Sequence, residues 1–158
     1  MICIQPAFAQ TNQTQDTETP IVEKISSDGS VKVRIDANLP KADSPLIINL
    51  RFIDVATNYD ISNVNYDIVA LQNGEPVLSQ LGMYTQSGIA QHITGALSTD
   101  SHVDIMVILH GIGENAPYSG PQGEMFEARI VPEFGSVAII ILVTTISMVV
   151  VLHRSKLV

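Results

Sequence analysis

The sequence predicts an all-β domain followed by a single C-terminal transmembrane helix. Three observations carry that expectation. Apolar and polar residues alternate with period two in a series of short runs between residues 21 and 131. Those runs are separated by Gly, Pro, Asn, Asp and Ser at intervals too short for soluble helices. Near the end of the chain the alternation gives way to an uninterrupted apolar stretch.

Residues 1–9 contain Ala7-Phe8-Ala9 followed by Gln10, a small-x-small pattern of the kind signal peptidase cleaves. A basic n-region and a full-length apolar core are missing before it. Residues 1–9 therefore read as the remnant of a signal peptide whose true start lies upstream, with Cys3 inside the discarded part. Residues 10–20 are polar and rich in Thr and Gln, cannot bury enough surface to order themselves, and read as a linker. Asn12-Gln13-Thr14 within it is a glycosylation sequon.

Residues 21–25 and 31–36 are the first two expected strands, joined by Ser26-Ser27-Asp28-Gly29-Ser30. In the second, Val31, Val33 and Ile35 alternate with Lys32, Arg34 and Asp36, as on a strand with one wet face. Residues 39–45 hold two prolines and form a loop. Residues 46–54 place Leu46, Ile48, Leu50 and Phe52 on one side. Residues 64–72 and 75–81 flank Asn73-Gly74, a hairpin signal because both residues tolerate positive φ. Residues 89–94 are a short strand, 103–110 alternate again, and 124–131 put Phe126, Ala128 and Ile130 on one face.

Seven or eight strands over this length point to an immunoglobulin- or fibronectin-like β-sandwich across residues 21–131, with a small barrel or jelly roll as the alternative. The cysteine pair and core tryptophan of antibody domains are absent, since the chain has one Cys and no Trp. An intramolecular disulfide is thereby excluded, and the apolar core must hold the domain.

From Phe134 to Leu152 the chain carries no charge over 19 residues, within the roughly 17–25 that a spanning helix needs. His153-Arg154-Ser155-Lys156 follows as a cationic flank, which places the C-terminus in the cytoplasm and the β domain outside. Pro132-Glu133-Phe134-Gly135, a short apolar helix and a basic end together resemble the archaeal PEFG-CTERM protein-sorting signal, a relative of the PEP-CTERM and PEF-CTERM signals. The resemblance covers residues 132–158 only. It implies recognition of Pro132, Glu133, Phe134 and Gly135 by a membrane enzyme of the archaeosortase type, removal of the helix, and attachment at the cell surface.

Charge narrows the partners. Residues 10–134 hold sixteen acidic and six basic residues, a balance of −10. Nucleic acid, which needs clustered Lys and Arg, is not an expected partner. The acidic balance suits solubility at a surface and weak attraction for cations, and the partner expected of a surface module is an envelope protein or a glycan.

Two segments could hold a cation. Residues 54–67 concentrate oxygen donors, among them Asp54, Asn58 and Asp60, and calcium takes six to eight such oxygens. The spacing is not that of an EF-hand, and Asx residues also favour turns without any metal. His102 and Asp104 lie on one strand face about 7 Å apart at Cα, near enough to share copper or zinc with ligands from other strands. His92 is the one further histidine before the C-terminal tail besides His110. Residues 111–123, rich in Gly and Pro, form a long surface loop of the kind that binds partners in sandwiches. No nucleophile-elbow or phosphate-loop motif occurs, so a non-enzymatic interaction module is expected, with a surface cation-binding domain as the alternative.

Overall fold

A computed structural model describes residues 19–132. The signal-peptide remnant at residues 1–9, most of the linker, and the C-terminal helix expected after Pro132 lie outside the described residues. Eight strands form two antiparallel four-stranded sheets: β1 (Ile21–Ile25), β2 (Val31–Ala37), β3 (Pro45–Asp54) and β6 (Ile89–Ala96) in one, and β5 (Glu75–Thr85), β4 (Val64–Gln72), β7 (Val103–Ile112) and β8 (Glu124–Ile130) in the other. The chain changes sheet at β3–β4, β5–β6 and β6–β7.

Strict alternation makes the layers. Val33 and Ile35 of β2, Ile48 and Leu50 of β3, Ile68 of β4 and Ile105 of β7 are fully buried, while the residues between them face outward. Their β-branched and long aliphatic side chains fit a pleated, half-buried surface, and burying each contributes about 1.5–3 kcal/mol. The largest buried side chains, Phe52 and Tyr66, come from opposite sheets and meet with ring centroids 5.0 Å apart at a 48° tilt. This contact helps tie the sheets together in a chain that has no tryptophan and only one cysteine.

Three details depart from the expected elements. β5 runs on to Thr85, accommodated by register shifts against β4 and by Gly82 at φ 64°. β7 reaches Ile112, because Gly111 and Ile112 continue its ladder against Asn65 and Val64 of β4, and the expected loop at 111–123 shortens to 113–123. β6 inverts the usual sidedness: His92 and Thr94 point into the core and Ile89 and Ile93 point out. The Thr94 hydroxyl accepts the Leu46 N–H at 2.9 Å, so the inward polar groups are satisfied.

The strand directions give the sandwich two distinct poles. Ala37 N–H bonds the Pro20 carbonyl, so the chain enters beside the end of β2. β8 ends at Ile130 opposite Val103, the first residue of β7. Residues 97–102 link the end of β6 to that same point. Pro20 and Pro132 therefore leave the domain at one pole. The turns at 26–30, 55–63, 86–88 and 113–123 occupy the other.

Candidate functional site

The pole remote from both chain exits gathers two of the segments that the sequence singled out, residues 54–67 and the 111–123 loop. Asn63 is the hub. Its backbone takes a left-handed conformation, φ 59°, which Asn tolerates better than most residues. Its carbonyl accepts the Gly113 N–H at 2.7 Å and its N–H reaches the Gln86 carbonyl at 3.3 Å. The Tyr84 hydroxyl donates to its Oδ1. The neighbouring Asn65 Nδ2 donates to the Gly113 carbonyl at 2.7 Å. Three loops from both sheets are thus knitted into one surface. Gly88, at φ 75°, lies so close to the Ile61 carbonyl that any Cβ would collide with it. Gly111 is similarly tight against Tyr118.

The surface so built carries exposed apolar side chains. Tyr59 is 76 % exposed and Val55 40 % exposed at its rim. An exposed aromatic on a braced loop offers contact area with little ordering entropy left to lose.

The acidic residues of the 54–60 turn already have partners. Asp54 accepts the Thr57 N–H at 2.7 Å and its hydroxyl at 2.8 Å, which holds its carboxyl below the usual range. Asp60 takes a fork of bonds from Arg51, the closest at 2.8 Å. Asn58 sits at φ 59° in a turn, with its Oδ1 facing the Lys32 ammonium at 3.4 Å. These contacts fit the turn role of Asx residues.

His102 and Asp104 lie at the opposite pole, 3.7 Å apart. Asp104 is taken up by Arg129, whose Nε and Nη2 stand 2.6 and 3.1 Å from its two oxygens; this pairing lowers the carboxyl's pKa. The two groups of cation candidates are therefore separated by the length of the strands. His110, on the same outer face, pairs with Asp67 at 2.9 Å. Burial pushes the Asp67 carboxyl up, but the Gly82 N–H and His110 outweigh it and hold the group below its usual range. Among the described residues no three of His, Cys, Asp and Glu converge as a metal site would need.

The histidine that matters most structurally is His92. Its Nε2 lies 2.9 Å from the Tyr66 hydroxyl and its Nδ1 2.6 Å from Gln80 Oε1, inside the sandwich. This chain of polar groups links β4, β5 and β6 across the two layers. Burial pushes the imidazole down and the Tyr66 phenol up to about 12. Both stay neutral at physiological pH, a structural role.

Pro132 closes the described chain, half-buried just after β8. Glu133, Phe134 and Gly135 lie outside the described residues. Among the described residues no helix is long and apolar enough to cross a membrane. No protein-family profile, curated protein or solved structure matches this chain.

Proposed function

We propose that the protein is an exported, surface-displayed and non-enzymatic interaction module, with a C-terminal sorting and anchoring signal at residues 132–158. The carrying observation is polar: both chain exits lie at one end of the sandwich and the knitted loops at the other. A domain tethered through Pro132 would hold Tyr59 and the 113–123 loop away from the membrane, toward an envelope protein or glycan. The domain would be an immunoglobulin- or fibronectin-like sandwich carrying β1 as an added edge. In support, β2–β8 divide three and four between the sheets, with β4, β7 and β8 adjacent.

The sorting part rests on residues 132–135 and the uncharged run after them. Pro132 lacks an N–H and cannot extend the β8 ladder, so it separates the domain from the apolar run. An archaeosortase-type enzyme would then meet Glu133, Phe134 and Gly135 at the outer edge of the helix. The test is mass spectrometry of the C-terminal peptide in wild type and in a Pro132→Ala, Glu133→Ala variant, with protease added to intact cells. Loss of the helix in wild type, its retention in the variant and digestion of the β domain from outside are expected. A mature protein that still ends at Val158 would overturn processing. Protection of residues 20–131 from external protease would overturn display.

A further inference from the structure

A β-sandwich exposes four sheet edges, and an open edge is a template for another strand unless charge, proline or a bulge blunts it. Three of the four are blunted among the described residues. β1 carries Glu23 and Lys24 in only five residues, β5 has Glu75, Pro76 and a register shift, and β8 has Glu124, Glu127 and Arg129. β6 is different. Ile-Ala-Gln-His-Ile-Thr-Gly-Ala contains neither charge nor proline over eight residues, and its one register shift lies beyond Ile93, opposite Pro45–Ile47.

Its backbone polarity can be followed. Phe52 N–H donates to the Gly88 carbonyl at 2.9 Å, and Leu50 faces Ala90 and Ile48 faces His92 in the same register. Antiparallel alternation then turns the backbone groups of Gly88, Ala90 and His92 toward β3 and those of Ile89, Gln91 and Ile93 to the open side. Ile89 is already engaged on that side, its carbonyl by the Thr85 hydroxyl at 2.7 Å and its N–H by the Ser87 hydroxyl at 3.4 Å, which fits this polarity and leaves the groups of Gln91 and Ile93 to a neighbour. On the outer face Ile89 is 49 % and Ile93 54 % exposed, and Ile47 stands opposite Ile93 on β3.

We propose that β6 pairs antiparallel with β6 of a second copy of this chain, on a two-fold axis through Gln91, joining two four-stranded sheets into one of eight. The spacing of the isoleucines identifies the partner. Ile89 and Ile93 lie two residues either side of Gln91, so the two-fold sets Ile89 of each copy against Ile93 of the other. Each junction becomes a row of three isoleucines, Ile47 and Ile93 from one copy and Ile89 from its mate. Gln91 meets Gln91, and both exchange backbone hydrogen bonds. A strand with charge or with off-centre apolar residues would not be self-complementary in this way. The junction involves few residues, at the small end of interface sizes, below about 1,200 Å². Copies confined to one surface would raise the effective concentration that such a contact needs.

Cysteine cross-linking of the full chain in intact cells tests the register. In a Cys3→Ser background, Gln91→Cys would bring two thiols to a Cα spacing of about 5.5 Å, within the range that a disulfide spans. A covalent dimer is expected as the main species after mild oxidation. Ile89→Cys or Ile93→Cys alone is expected to stay monomeric, because each would face its own copy about 13 Å away. Co-expressed, the two are expected to cross-link. Adding Ile93→Lys to Gln91→Cys places a charge at the junction on an exposed position and is expected to abolish the dimer. No dimer from Gln91→Cys, or equal cross-linking from Glu23→Cys on the far edge, would overturn the proposal.

Discussion

The hydroxyl of Tyr66 and Nε2 of His92 are hydrogen-bonded at 2.9 Å between the sheets, with the two rings edge to face at 80°. Tyr66→Phe would keep the packing against Phe52 and strip His92 of that partner. The expected loss is about 1–3 kcal/mol, the cost of an unsatisfied buried group, read as a lower midpoint of denaturant unfolding at an unchanged slope.

His92 also sets a pH response. Burial depresses its folded pKa below the ordinary 6.5, so the unfolded chain binds the proton more readily. Stability is therefore complete above about pH 7 and falls as pH drops through 6.5 toward the folded value. His92→Gln is expected to flatten this slope in thermal unfolding between pH 7.5 and 5.5. An unchanged slope would assign it to another group. Asp67 acts in a lower window: its folded pKa is depressed below 3.8, so its contribution is present above that value and lost as pH falls through the folded pKa.

The loop pole depends on backbone positions that few residues can occupy. Gly88→Ala would force a Cβ onto the Ile61 carbonyl at a positive φ, with an expected cost of at least about 2 kcal/mol. Asn63→Val would lose the Tyr84 bond and the tolerance for φ 59°. Hydrogen exchange at the Gly113 amide, which donates to Asn63, is expected to quicken by about tenfold or more if the opening free energy falls by about 1.4 kcal/mol.

Calcium or copper added to the full chain is expected to leave its melting temperature unchanged. Asp54 is engaged by Thr57, Asp60 by Arg51 and Asp104 by Arg129. A rise in Tm with metal concentration would show a cation binding the native state and revive the loop or the histidine strand as a site.

Most of the strand pattern was legible because one side of each strand is dry. Val33 and Ile35, or Ile105 and Val107, could face nowhere but the core. β6 was less legible for the same reason turned round. Ile89, Gln91 and Ile93 look no less like a core face than Ala90, His92 and Thr94, and only Tyr66, Gln80 and the Leu46 N–H, all distant in sequence, make the polar side the buried one. The oxygen-rich stretch at 54–67 was visible as composition. That Asn63 would join it to residues 113–123 was not, since the bond that does so runs between backbone groups fifty residues apart. The isolation of Asp54 and Asp60 from His102 and Asp104 likewise comes from strand direction, which alternation alone does not encode.

The placement of both chain exits at one pole has a mechanical consequence. Under the tethering proposed above, a pull on Tyr59 against Pro132 would run along the strands, while the ladder bonds between β7 and β8 lie across them. Those bonds would bear the load in parallel, as a shear joint, instead of opening one after another like a zip. A sandwich hung this way would resist tearing from the end by which it is held.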